Sequence, residues 1–284
     1  MEANLLRKHK PGNGLRIFVQ GGSTAAGYPY GLGASIAGLL DQRLKRSFPS
    51  RYVEVVNTAM SAVNSWTLLD IADELIEASP DAVLIYAGHN EYLGILGIGS
   101  SYTLFDSTWL TRLYLNLYHL RTVQLLQHII PSSAPPQDEQ QDRRTFMATV
   151  AGNRNIPYRS LAFEAGLNQF RDNLDHLLKK YQQAGVPVFI ATLASNQRDQ
   201  PPFSSPPLPE TLPEELESLR RLALNTDNAL LQYEVGNRLM VTGHEAAART
   251  FYERALQQDQ LRFRAPLEFN QIIREMAAKR GAHI

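Results

Sequence analysis

Short apolar runs constrain the fold of this chain more than any other feature of its sequence. They lie at Leu15–Val19, Val53–Asn57, Ala82–Ala87 and Val186–Thr192. Runs of this length and composition are typical of strands that are buried on both faces, as in parallel sheets. Because helical patterns separate the runs, the sequence predicts an α/β domain built on a parallel sheet.

The helical patterns place apolar residues every three to four positions, so that each helix has one apolar face. They cover Ser35–Phe48, Thr67–Ala78, Phe163–Ala184 and Ala265–Gly281. Helices that alternate with strands in this way cover both faces of the sheet. We therefore expect a three-layer, flavodoxin-like parallel sheet with helices on both faces, together with a helical insertion.

Two segments interrupt the alternation of strands and helices. Residues 100–160 contain an apolar run, Trp109–Ile130, and then a loop rich in Pro, Gln and Asp. A long loop of this kind often covers an active site, so this insertion is interpreted as a lid, with a dimer face or plain core packing as alternatives.

The second segment begins with a proline-rich linker and continues as a predicted helical hairpin. Its apolar and small residues have the spacing of a single tetratricopeptide repeat: Tyr233, Gly236, Leu239, Gly243, Ala248, Tyr252, Ala255 and Leu256. The predicted division is therefore an α/β domain at 1–205, a helical insert at 206–264 and a return to the α/β domain at 265–284. The hairpin is either a packing insert or a surface for a protein partner.

Charge and composition exclude several classes of function. Lys and Arg together number 28, as do Asp and Glu, so the formal net charge is zero. The chain therefore has no overall positive charge that would attract nucleic acid or anionic lipid. The absence of cysteine excludes disulfides, thiolate nucleophiles and Cys-type zinc sites. No cluster with metal-ligand spacing and no phosphate-binding loop occurs, so we predict neither a metal nor a cofactor.

The sequence does not select a compartment. No apolar stretch approaches the roughly 20 residues of a transmembrane helix, and the basic N-terminus lacks the apolar region of a signal peptide. The composition suits either side of a bacterial inner membrane. An N-terminal anchor preceding the present start would make the protein periplasmic or membrane-anchored.

The first predicted strand runs directly into Gly21, Gly22 and Ser23. The two glycines permit a tight turn, including one with φ > 0, so Ser23 would emerge at the carboxyl end of a buried strand. Ligands bind at this edge of open α/β sheets, which makes Ser23 a candidate nucleophile. The alternative is that Ser23 or Thr24 only caps the following helix.

Small and polar residues also follow the next two strands. Ala62 lies in the segment Asn57–Ser65 after the second strand, and Asn90 lies in Gly88-His89-Asn90-Glu91 after the third. A serine hydroxyl, a backbone N–H and an asparagine amide at one sheet edge can form a nucleophile with an oxyanion hole.

These three blocks together resemble the SGNH hydrolase superfamily of GDSL-type esterases and lipases, in the subset that carries an inserted tetratricopeptide-like segment. The resemblance implies that Ser23 is the nucleophile, and that the backbone N–H of Ala62 and the side chain of Asn90 form the oxyanion hole. It covers residues 15–192 and resumes near Pro266. It further implies a serine ester hydrolase that forms an acyl-enzyme on a small-molecule or carbohydrate ester.

The chain departs from the family pattern in two places. Gly22 replaces the aspartate of the Gly-Asp-Ser motif, and Ala62 replaces a glycine. No Asp-x-x-His block, which would supply the general base, follows the last helical pattern. We therefore interpret the sequence as a C-terminally truncated piece of a longer hydrolase that is inactive in this form.

Further residues are assigned to substrate binding: Gly22, His89, Asn196 and Arg198. The alternative for His89 is that it is a hydrogen-bonded residue that takes no part in binding. The alternative for Asn196 and Arg198 is that their side chains only hydrogen-bond to backbone groups of their own loop. The alternative function is a non-catalytic α/β scaffold whose tetratricopeptide-like hairpin binds a protein.

Overall fold

The computed structural model describes residues 6–94 and 155–284, together with residues 97, 98, 111 and 117. Most of the 100–160 insertion, including the predicted lid, lies outside the described residues.

The described part of the chain contains a parallel sheet. Its strands are β1 (Gly14–Gly21), β2 (Tyr52–Asn57), β3 (Ala82–Tyr86) and β4 (Val188–Ile190), in the order β2-β1-β3-β4. All pairings are parallel, so the carboxyl ends of the strands meet at one edge. The prediction of an α/β fold on a parallel sheet is confirmed.

The helices occupy most of the predicted positions. They are α1 (Ser23–Ala26), α2 (Ile36–Ser47), α3 (Ser65–Asp70), α4 (Ala72–Glu77), α5 (Leu161–Gln183), α6 (Leu216–Leu224), α7 (Ala229–Val241), α8 (Glu245–Gln258) and α9 (Leu267–Arg280). The single helix predicted at Thr67–Ala78 is wrong, because it is divided into α3 and α4. At the division, Ile71 has ψ −3°, far from the value of a regular α-helix.

The main apolar core lies on one face of the sheet. Strand residues that alternate along the sheet contribute Phe18, Val56, Val83, Ile85, Val188 and Ile190 to this core. Buried residues of α3, α4, α5 and α9 complete it. On the opposite face, α2 packs against β2. The helices therefore cover both faces and leave the carboxyl edge of the strands for the loops that carry the site.

A buried ion pair lies toward the amino end of the sheet. Arg16 Nε donates to Glu54 Oε2 (2.9 Å), and the same guanidinium donates to Ala78 O and Arg7 O. Burial by itself raises the pKa of Glu54, but hydrogen bonds from the Arg7 N–H and from Arg16 outweigh it and hold the pKa below its ordinary value. This pair joins β1 to β2 far along the strands from Ser23.

Helices α6, α7 and α8 share a second apolar cluster. Helices α7 and α8 approach closely at Gly236, where a Cβ would lie 2.7 Å from Tyr252 Cε1. Helix α6 was not predicted from the sequence. The assignment of this region to a tetratricopeptide-like insert, and its binding of a protein partner, stay predictions.

After α9 the chain returns to the sheet beside β4. The N–H of His283 donates to Val188 O, and the carbonyl of His283 accepts from the Ile190 N–H, both at 2.8 Å. His283 thereby forms a parallel bridge with Phe189 on the outer side of β4. No helix in the described ranges has the length and apolarity needed to cross a membrane.

Candidate active site

The candidate nucleophile begins the short helix α1, directly after β1. Ser23 is half-buried, whereas the neighbouring Thr24 is exposed. Gly22 precedes the helix with φ −85° and ψ −164°, an ordinary extended conformation, so the φ > 0 turn that its glycines permit does not occur there. Gly21 is needed for space instead, because a Cβ at this position would lie only 2.2 Å from Tyr86 O at the end of β3.

The loop after β2 continues the pairing with β1 beyond the end of the strand. The N–H of Thr58 donates to Val19 O (2.9 Å), and the N–H of Met60 donates to Gly21 O (3.0 Å). At the end of β2 itself, Asn57 Nδ2 donates to Ala26 O (3.3 Å) at the end of α1. These bonds hold the second block against the turn that carries Ser23.

Ala62 has a left-handed backbone conformation, with φ 64°, and is fully buried. A non-glycine residue in this region costs about 1–2 kcal/mol, which explains why glycine suits the position. Among the described residues, no acceptor receives the N–H of Ala62. A buried N–H without a protein partner is rare, which singles out this donor.

The side chain of Asn90 lies against the turn that carries Ser23. A Cβ placed on Gly22 would lie 3.0 Å from Asn90 Nδ2, so the amide contacts the residue that precedes Ser23. Asn90 is 6% exposed. Its side chain makes no hydrogen bond to the described part of the chain. The structure therefore brings an unpartnered amide to the carboxyl edge beside Ser23.

Glu91, which sequence reasoning did not select, lies fully buried beneath these groups. Its carboxyl accepts from the N–H and Oγ of Ser65 and from Gln169 Nε2, and burial raises its pKa above the ordinary value. The only signal in the sequence is its place next to Asn90, because the partners at 65 and 169 are far away along the chain.

His89 is half-buried and hydrogen-bonded to backbone. Its Nδ1 accepts from the N–H of Ala265 (3.2 Å). Burial lowers the pKa of His89, and a hydrogen bond to the backbone of Ala194 opposes that shift only in part. His89 thus joins the segment before α9 to the loop after β4, which matches the alternative interpretation of this residue. Its substrate role stays a prediction.

The loop after β4 carries the other two predicted binding residues. Asn196 Oδ1 accepts from the N–H of Asp199 (2.9 Å), and Arg198 Nε lies 3.7 Å from Asp199 Oδ1. The buried Arg264 fixes this loop by donating to Asn196 O (3.1 Å) and Gln200 O (2.9 Å). Nothing in these contacts brings Asn196 or Arg198 to Ser23, and their binding of substrate stays a prediction.

None of the histidines in the described ranges hydrogen-bonds to Ser23. His176 Nδ1 lies 2.7 Å from Asp172 O on α5, and His244 Nδ1 lies 3.1 Å from Thr242 Oγ1. The ring of His283 stacks on Phe189 with a centroid distance of 5.0 Å. The described residues therefore bring Ser23, the N–H of Ala62 and the amide of Asn90 to one edge of the sheet, and no histidine among them is hydrogen-bonded to the serine.

No protein-family model matches the chain, and no curated protein matches it. Solved structures similar to it include the psychrotrophic esterase EstA from Pseudoalteromonas sp., at 16% identity and a TM-score of 0.32, over 62% of this chain and 57% of that one. The chain thus spans less than two thirds of that esterase.

Two further similar structures match over more of their length. A lipase/acylhydrolase from Enterococcus faecalis shares 14% identity, with a TM-score of 0.36, over 95% of this chain and 74% of that one. A catalytic mutant of Axe2, an acetylxylan esterase from Geobacillus stearothermophilus, shares 13% identity, with a TM-score of 0.34, over 98% of each chain.

Proposed function

We propose that this chain carries the nucleophile and oxyanion hole of a serine ester hydrolase. The observation that carries the proposal is the buried, unpartnered amide of Asn90 beside Gly22, one residue before Ser23. Ser23 Oγ attacks the carbonyl carbon of an ester, and a tetrahedral intermediate forms. The alcohol then leaves, and water hydrolyses the resulting acyl-enzyme to release the acid.

An oxyanion hole would give a role to two donors that have no acceptor among the described residues, the Asn90 amide and the N–H of Ala62. In the tetrahedral intermediate the former carbonyl oxygen carries negative charge, which hydrogen-bond donors stabilise strongly in a partly dry site. Asn90 Nδ2 and the N–H of Ala62 serve as these donors. The left-handed conformation of Ala62 fixes the direction of its N–H before substrate arrives, so the site needs little reorganisation during the reaction.

Hydrolysis also needs a base that removes the proton of Ser23 and returns it to the leaving alcohol. The resemblance implies that this base is the histidine of an Asp-x-x-His block, and no histidine in the described ranges is hydrogen-bonded to Ser23.

The substrate is an acyl ester of a small molecule or carbohydrate. Gly22 stands where the family pattern has aspartate, and a Cβ at this position would lie only 3.0 Å from Asn90 Nδ2, so the glycine avoids crowding the amide. We predict no cofactor for the reaction, because the attack, the charge stabilisation and the proton transfer are all assigned to protein groups.

A fluorophosphonate probe tests the proposal, since it forms a stable bond to an activated serine and places its phosphoryl oxygen in the oxyanion hole. Imidazole in the buffer supplies a proton acceptor, because no histidine in the described ranges is hydrogen-bonded to Ser23. We expect one adduct per chain by intact mass, located at Ser23 by peptide mapping. Ser23→Ala should remove the adduct.

Thr24→Ala is the matched control, because Thr24 is the adjacent hydroxyl and is exposed. It should label like the unchanged protein. An adduct that persists in Ser23→Ala, or the absence of any adduct with imidazole present, would contradict the assignment of Ser23 as nucleophile.

A further inference from the structure

We propose that Glu91 is a positioning residue that holds Asn90 in place relative to Ala62. The inference rests on the proposed function, because it assigns Glu91 a role through the two oxyanion donors. Glu91 follows Asn90 in the chain and is completely buried. Its side chain therefore points into the protein, whereas the side chain of Asn90 lies against the turn that carries Ser23.

Three hydrogen-bond donors converge on the Glu91 carboxyl. Ser65 donates its N–H to Oε2 (3.0 Å) and its Oγ–H to Oε1 (2.7 Å). Gln169 Nε2 also donates to Oε1 (2.7 Å), and Asn173 Nδ2 donates to Ser65 Oγ (2.9 Å). The carboxyl therefore joins the loop after β3 to the start of α3 and to α5.

The contact with Ser65 transmits this arrangement to Ala62. The intervening residues 63 and 64 are buried, and Asn64 caps α3 by accepting from the Trp66 N–H (3.1 Å). On the other side, the N–H of Gly94 donates to Asn90 O (2.6 Å), and a Cβ on Gly94 would lie 2.8 Å from Ala62 O. The two loops are thus in contact, and the bond between Glu91 and Ser65 sets their spacing.

The energetic cost of Glu91 favours a functional explanation. A fully buried carboxyl loses its hydration, and no Lys or Arg in the described part of the chain forms an ion pair with it. Apolar residues in place of the carboxyl and its donors together would avoid this desolvation cost. A side chain retained at such a cost is expected where it orients groups of a site.

Glu91→Gln tests this role, because the amide keeps the size but places an N–H group among converging donors. Glu54→Gln is the matched control, being a buried glutamate of the same sheet that pairs with Arg16 near the amino end. All variants are compared at a temperature where circular dichroism shows them folded. We expect Glu91→Gln to slow fluorophosphonate labelling of Ser23 on the order of tenfold to a hundredfold, and Glu54→Gln to leave it unchanged.

A second readout does not depend on reactivity at Ser23. With ¹⁵N-asparagine labelling, the side-chain amide signals of Asn90 are identified by their loss in Asn90→Asp. We expect these signals to shift in Glu91→Gln and to stay in place in Glu54→Gln. In an Asn90→Ala background, Glu91→Gln should change the labelling rate by less than about threefold, since the positioned donor is already absent.

The outcomes separate the two proposals. Labelling that does not depend on Ser23 contradicts the proposed function. In that case the side-chain amide signals of Asn90 still test the inference, because they are measured without any reaction at Ser23. If Ser23 labels as proposed but Glu91→Gln behaves like Glu54→Gln in rate and in the Asn90 signals, Glu91 is only structural and the inference fails.

Discussion

Replacing Asn90 with alanine should impair the candidate site while leaving the fold nearly unchanged. The substitution removes the amide and retains the Cβ. Because the side chain makes no hydrogen bond to the described residues, its loss strands no protein donor or acceptor. We therefore expect the free energy of unfolding to change by about 1 kcal/mol or less.

The expected effect on reactivity is much larger. Loss of one oxyanion donor costs about 2.7–4 kcal/mol in the reaction barrier, or a factor of about 10² to 10³ in rate. The assay follows the growth of the Ser23 phosphonate adduct by intact mass at several probe concentrations. Urea unfolding followed by circular dichroism measures stability in the same samples.

Asn228→Ala provides the reciprocal control. Asn228 is 7% exposed and caps α7 by accepting from the Leu231 N–H (3.0 Å), and its amide also donates to Pro206 O (3.0 Å). The apolar residues of α7 belong to the second cluster, which is separate from the sheet core. Its loss should cost about 1 kcal/mol of stability and leave the labelling rate intact. A rate for Asn90→Ala within threefold of the unchanged protein would refute the argument that Asn90 stabilises the oxyanion.

Three further predictions concern the frame that carries the site. Gly21→Ala should destabilise the protein by at least about 1–3 kcal/mol in urea unfolding, because its Cβ would lie 2.2 Å from Tyr86 O; an unchanged midpoint would contradict the close approach. Arg16→Ala should cost about 3–5 kcal/mol by the same measurement, since Glu54 is left buried without its cation; a loss below about 1 kcal/mol would show that the carboxyl is not confined. Asp175, whose pKa is lowered to about 2 chiefly by hydrogen bonds from Arg280, contributes stability that is present above its ordinary pKa of 3.8 and lost as the pH falls through about 2. Asp175→Asn should therefore lose about 1 kcal/mol at pH 6, allowing for solvent screening, and little near pH 2; an equal loss at both values would exclude this ion pair as the cause.

The sequence predicts those parts of the molecule that depend on local pattern. The strands at Leu15, Val53 and Ala82 follow from apolar runs, and their carboxyl ends bring Ser23, Ala62 and Asn90 to one edge of the sheet. Parallel strands necessarily share that edge, so order along the chain is enough to place the three residues together.

Features that depend on long-range contacts are absent from the local pattern. The Glu91 carboxyl is satisfied by Ser65 and Gln169, which lie 26 and 78 residues away. The role of Gly21 depends on the approach of Tyr86 O from β3 rather than on its own φ. The predicted strand Val186–Thr192 is only three residues long, Val188–Ile190, because on its outer side β4 pairs with His283 alone among the described residues.

The most direct test of the central claim is the site of covalent modification by a fluorophosphonate. Intact mass and peptide mapping of the labelled chain, with imidazole present, should show a single adduct on Ser23 that is lost in Ser23→Ala and retained in Thr24→Ala. An unmodified chain, or an adduct at another residue, would contradict the assignment of this sheet edge as the active site of a serine ester hydrolase.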